Sequence, residues 1–99
     1  MASIFVIDLT YTVDLTEVEV HLASHRDFLQ RQYDAGIFLA SGRKEPRTGG
    51  VILATGDRST VHQVLAEDPF NREGVASYEV TEFLPTMTSP GLADLRHAL

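Results

Sequence analysis

The sequence predicts an α+β domain of ferredoxin-like type, ordered β-α-β-β-α-β around one antiparallel four-stranded sheet. Three observations lead there. Ninety-nine residues with 43% hydrophobic content suffice for one domain with one core. Four short stretches rich in β-branched and aromatic residues read as strands. Two stretches among them carry a helical period instead.

Ser3 to Leu9 (SIFVIDL) is the first strand, and Ile4 to Ile7 are apolar without interruption. Such a run implies that both faces of the strand are covered. From Glu17 to Asp34 the pattern turns helical. At 100° per residue, Val18, Leu22, Leu29 and Tyr33 fall within about 60° of one another. Asp14 or Thr16 caps the start, and Gly36 is a natural stop because glycine accepts the left-handed conformation. Ile37 to Ser41 (IFLAS) reads as the second strand, and Gly42 to Gly50 (GRKEPRTGG) as a loop. Val51 to Thr55 (VILAT) is a third strand, again apolar on both faces. Asp57 is an N-cap for a helix from Arg58 to Glu67 with Val61, Val64 and Leu65 facing inward. Pro69 ends it by pushing Asp68 out of the α region. Val75 to Leu84 alternates as the last strand, with Ala76, Tyr78 and Val80 on one side and Glu79 and Thr81 on the other. Residues 1–84 thus form the domain and residues 85–99 an extension. There Ser89-Pro90 opens a short helix with Leu92, Leu95 and Leu99 as its stripe.

Two helices cover only one face of such a sheet, yet the first and third strands are apolar on both. An uncovered apolar face is an association site. The expectation is a homodimer packed sheet against sheet, a dimeric α+β barrel with two-fold closure, higher oligomers being left open.

Composition narrows the function. Eight Lys and Arg against fourteen Asp and Glu give a net charge of −6, which argues against a nucleic-acid partner and against anionic membrane surfaces. No apolar run approaches the roughly 20 residues of a membrane span. The start MASIFVIDL has no basic region before a long apolar stretch, so a cytoplasmic location is expected. Without cysteine there are no disulfides or thiolate metal sites. Neither a phosphate-binding glycine loop nor a G-x-S-x-G elbow occurs, and no cofactor is expected.

His25 stands out. It follows Val18 by seven residues and projects within about 20° of it, in the middle of an apolar stripe. One reading is a core histidine bonded to a backbone carbonyl. The other is a pocket histidine that moves a proton. Asp68 lies at the C-terminal end of the second helix, where the helix dipole disfavours negative charge. It is either a solvated turn residue or a carboxylate aimed at an imidazole. Arg43, Lys44 and Arg47 cluster in the hairpin loop, either solvated or drawing an anionic substrate. Phe70 and Tyr33 line a pocket or fill the core. His21 and His25 have the i, i+4 spacing of metal ligands, but no third ligand is near, and no metal is expected. His62 and His97 read as surface residues.

The segments SHRDFLQRQYDAGIFLASG, TGGVILAT and LAEDPFNREGVASYEVTEF together resemble the YCII-related (YciI-like) family over residues 2 to about 84. The resemblance implies a dimeric α+β barrel. It also implies a catalytic pair made of a first-helix histidine and the aspartate of a D-P-[FY] segment, here His25 and Asp68. The family's strand-end Ser/Gly segment falls on Ser41 and Gly42; with Arg43 and Phe70 these are the substrate-binding candidates. The tail after Leu84 exceeds the usual family domain. Links of the family to aromatic and haloaromatic breakdown imply a cofactor-independent proton-transfer enzyme, a lyase or isomerase, including loss of hydrogen halide. Its substrate would be a small cyclic or aromatic-derived metabolite. Two alternatives stand beside it: a ligand-binding or regulatory module without turnover, and a cofactor-free oxygenase.

Overall fold

The computed structural model describes residues 3–97. Among these residues four strands are present: β1 (Ser3–Tyr11), β2 (Phe38–Arg43), β3 (Gly49–Gly56) and β4 (Ala76–Phe83). They form one antiparallel sheet in the order β2-β3-β1-β4. Helices α1 (Leu15–Val20) and α2 (Leu22–Asp34) connect β1 to β2; α3 (Arg58–Leu65) and α4 (Pro69–Arg72) connect β3 to β4. The predicted ferredoxin-like α+β fold is therefore the observed one.

Strand pairing explains why the strands outrun the sequence pattern. The ladder joins Arg43 to Gly50 and Thr10 to Gly49, drawing the expected loop ends into β2 and β3. Only glycine fits at position 49, where a Cβ would lie 1.8 Å from the Leu9 carbonyl oxygen. The expected first helix is two helices, broken at His21 (φ −104°, ψ 4°). Three of the six residues of α1, Thr16, Val18 and Val20, are β-branched, which weakens a continuous helix there. Asp14 sits at the cap position without a side-chain cap bond. Gly36 adopts φ +76° just beyond α2, as expected of a glycine stop.

One face of the sheet carries the core. Phe5, Ile7 and Leu9 of β1 pack with Ile52 and Ala54 of β3 against Phe28 of α2 and Val61 of α3. Each large side chain buried there contributes about 1.5–3 kcal/mol of hydrophobic stabilisation. On the opposite face Val6 pairs with Leu53 and with Thr81, and Asp8 with Val51 and Glu79. The apolar strip seen in β1 and β3 is therefore bordered by polar residues on β4. Lys44 joins this face, 2.5 Å from Asp8 and 3.3 Å from the Thr10 hydroxyl.

The second half departs from expectation at two places. Helix α3 stops at Leu65, and Asp68 then caps a further single turn, α4, that the sequence pattern does not reveal. Past β4, residues Pro90–Leu95 form a 3-10 helix rather than an α-helix, with no buried residue and Leu92 exposed. Ser89 makes no side-chain cap bond. The Leu99 of the expected stripe lies outside the described residues. Among the described residues no helix is long and apolar enough to cross a membrane.

Candidate active site

The Asp-Pro-Phe turn builds the site. Asp68 has an extended backbone (φ −62°, ψ 125°), as its position before proline requires. Pro69 opens α4, where its missing N–H costs nothing. The Asp68 carboxylate then accepts a hydrogen bond from the Phe70 N–H at 3.0 Å. This is a favourable N-cap, which corrects the expectation of a carboxylate stranded at an unfavourable helix end. Asp68 is 0% exposed, which excludes a solvated turn residue.

The same oxygen, Oδ1, lies 2.7 Å from Nδ1 of His25. The partner of this buried histidine is thus a carboxylate and not a backbone carbonyl. The Phe70 ring stacks on the imidazole with centroids 3.8 Å apart and planes 5° from parallel. One three-residue turn therefore supplies the acceptor, the cap and the stacking surface. Its stacking fixes the ring plane, and the hydrogen bond fixes rotation within that plane.

Tyr78 completes the cluster from β4. It pairs with Leu9 on the helix-facing side of the sheet and donates its hydroxyl to Asp68 Oδ2 at 2.5 Å. Burial, then the charge of Asp68 and the hydrogen bond to it, push the Tyr78 phenol far above its ordinary value. Asp68 so accepts from three donors: one backbone amide, one phenol and one imidazole. In the neutral ring this places the proton on Nδ1 and the lone pair on Nε2. Nε2 has no protein partner among the described residues.

His25 lines a cavity of about 430 Å³ between α2 and the strands β1, β2 and β3. Its floor is apolar, with Leu9, Leu22, Leu29 and Ile52. Ser41, Gly42, Arg43 and Phe70 line it too, so five of the six sequence-selected residues meet there. The sixth, Asp68, is sealed behind the imidazole. The Ser41 hydroxyl is hydrogen-bonded to the Tyr33 hydroxyl. Of the loop cations, Arg43 and Arg47 reach the cavity, whereas Lys44 faces the other side of the sheet. Among the described residues no group of three His, Cys, Asp or Glu is placed to share a metal ion.

Sequence reasoning missed Tyr78 and Arg26 as members of the site. For Tyr78 a signal existed: an inward-facing tyrosine needs a partner for its hydroxyl. Arg26 had none, because a polar residue one step beyond a helical stripe is ordinary.

With this geometry in view, the sequence matches the YCII-related domain over residues 4–84. The chain belongs to the YCII-related family. Its fold is the ferredoxin-like α+β arrangement, which solved structures share. Among solved structures, this YCII-related chain is similar to the dehydrochlorinase TftG from Burkholderia phenoliruptrix AC1100. That enzyme is described as acting on 5-chloro-2-hydroxyhydroquinone and is seen in complex with 2,5-dihydroxybenzoquinone. The TM-score is 0.70 at 17% identity, covering 83% of this chain and 94% of that one. It is also similar to SnoaB, a cofactor-independent oxygenase from Streptomyces nogalater, with a TM-score of 0.54 at 21% identity over 90% and 97% of the two chains. At these identities the likeness concerns the fold. No protein of curated function matches the sequence.

Proposed function

We propose that the chain is a cofactor-independent enzyme that moves a proton on a small cyclic or aromatic-derived metabolite, with His25 as base and Asp68 as its positioning partner. The observation that carries this reading is the buried contact of 2.7 Å between His25 Nδ1 and Asp68, on a ring whose other nitrogen is unpartnered at a cavity. Asp68 holds the tautomer and stabilises the imidazolium that forms when Nε2 takes a proton. A general base of this kind supplies roughly 10²–10⁴-fold.

The step that fits these parts is removal of a proton from a ring carbon or ring hydroxyl. The released electron pair forms a new double bond. In an isomerase the proton returns elsewhere; in a lyase a leaving group such as halide departs, with net loss of hydrogen halide. Ser41, its hydroxyl held by Tyr33, is a donor for the oxygen on which charge develops. Gly42, Arg43 and Phe70 complete the substrate-binding set. The likeness to TftG supports the lyase form of the reading.

The functional unit we propose is a homodimer that covers the Val6–Leu53 strip of the open sheet face. Residues 1–84 act as the catalytic domain and residues 85–99 as an appended segment.

The test is turnover on a panel of halogenated hydroquinones and cyclic diketones, following halide release and loss of exchangeable ring protons in heavy water. Activity that falls at least about a hundredfold in His25→Ala supports the mechanism. Full activity in that variant removes it. Oxygen uptake during turnover would instead favour an oxygenase.

A further inference from the structure

The cavity is cationic in a protein that is not. The chain carries a net charge of −6 and only eight Lys and Arg. Three of those eight, Arg26, Arg43 and Arg47, line the cavity beside His25, and no Asp or Glu does. Arg47 is engaged by Glu19 at 3.4 Å. Arg26 and Arg43 make no ion pair and no side-chain hydrogen bond among the described residues. They approach from different elements: Arg26 follows His25 on α2, and Arg43 ends β2 opposite Gly50, two residues beyond Ser41.

Two like charges at one concavity repel each other and gain nothing from an apolar floor. The arrangement gains when an anion lies between them. A guanidinium presents a planar fork of donors that matches a carboxylate. A mouth of one charge sign also concentrates counter-charged ligands. The volume limits the rest. At roughly 30 Å³ per water, a cavity of about 430 Å³ holds on the order of fourteen waters, which suits a compound of one or two rings.

We propose that the cavity recognises a ring compound bearing a carboxylate, with the carboxylate held by Arg26 and Arg43 and the ring on the apolar floor beside His25. This deepens the proton-transfer reading by naming its substrate class, and it rests on that reading only for the identity of the cavity. An acid group anchored at the arginines leaves the ring carbons as the part of the ligand nearest the base.

Salicylate and salicylamide are the probes. They share ring and hydroxyl and differ in the charge of one substituent. Binding is followed by calorimetry and by the shifts of the His25 ring protons. The expected result is salicylate binding at least tenfold tighter than salicylamide, with displacement of the His25 signals. Raising salt from about 0.05 to about 0.5 M weakens salicylate alone. Both arginines are exposed, so the Arg26→Gln, Arg43→Gln double variant folds, and it brings the two ligands within about threefold. The preference persists in His25→Ala, where calorimetry reads it. Equal binding of the two probes, no binding of either, or an undiminished preference in the double variant overturns the proposal. Those results leave the proton-transfer reading intact, since that reading stands or falls on turnover in His25→Ala.

Discussion

Replacing Tyr78 by phenylalanine removes one atom group and strands a buried carboxylate oxygen. In the native chain the Tyr78 hydroxyl donates to Asp68 Oδ2 at 2.5 Å, and Asp68 is wholly enclosed. A hydrogen bond to a charged group is worth about 1.5–3 kcal/mol, so Tyr78→Phe should cost about 2 kcal/mol near pH 8. For a domain of this size each kcal/mol moves the Tm by roughly 4–8 °C, so a fall of about 10 °C is expected. The pH dependence separates this cause from lost packing. The Tyr78 phenol is raised in the folded state by burial and by Asp68. In the unfolded chain it ionises near its ordinary value of about 10. Its contribution is therefore complete below pH 10 and is lost as pH rises above it, by about 1.4 kcal/mol per unit. The gap between native and variant proteins should shrink above pH 10 and close near pH 11.5. Every other alkaline titration is common to both proteins and cancels. Urea unfolding of both chains from pH 8 to pH 11.5 measures the gap directly. Equal stability at pH 8, or a gap that ignores pH, would refute the Tyr78–Asp68 contact.

Two other perturbations follow from the fold. Gly49→Ala should destabilise by about 3 kcal/mol or more in urea, because its Cβ meets the Leu9 carbonyl at 1.8 Å. Gly42→Ala, with open space at that position, should change stability by under about 1 kcal/mol. Asp57 caps α3 by accepting from the Thr60 N–H at 2.7 Å, which holds its carboxyl below the usual range. Asp57→Ala should therefore lower the Tm at neutral pH, with the difference vanishing as pH falls below about 4, where the unfolded carboxyl protonates. A difference that persists at low pH would show that the cap bond is not its source.

The strands were legible because the period of two and the β-branched runs are local signals. Their ends were not, since Gly49, Gly50, Thr10 and Tyr11 become strand only by pairing with partners distant in sequence. His25 was legible as an anomaly: a histidine within an apolar stripe asks for a reason. The stripe itself packs against the core, with Val18 buried and Leu22, Leu29 and Tyr33 partly so, but it is one edge of the buried surface. The most buried face of α2 is His25, Phe28 and Gln32, rotated by roughly 75° from the centre of that stripe at 100° per residue. Asp68 was found for a mistaken local reason. Its turn, Pro69–Arg72, is too short to show a period, so its capping role stayed hidden. Its long-range partners, 43 residues away at His25 and 10 away at Tyr78, leave no trace in composition or spacing. The mapping from the family resemblance reached the same two positions without that geometry.

In the proposed mechanism Asp68 fixes His25 as a base with its lone pair at the cavity. Long-range nitrogen–proton NMR of the His25 ring in the full chain reads this directly. At alkaline pH the expected ring is neutral and protonated at Nδ1, with Nε2 bare, and that tautomer preference is lost in Asp68→Ala. A ring protonated at Nε2 in the native chain would contradict it.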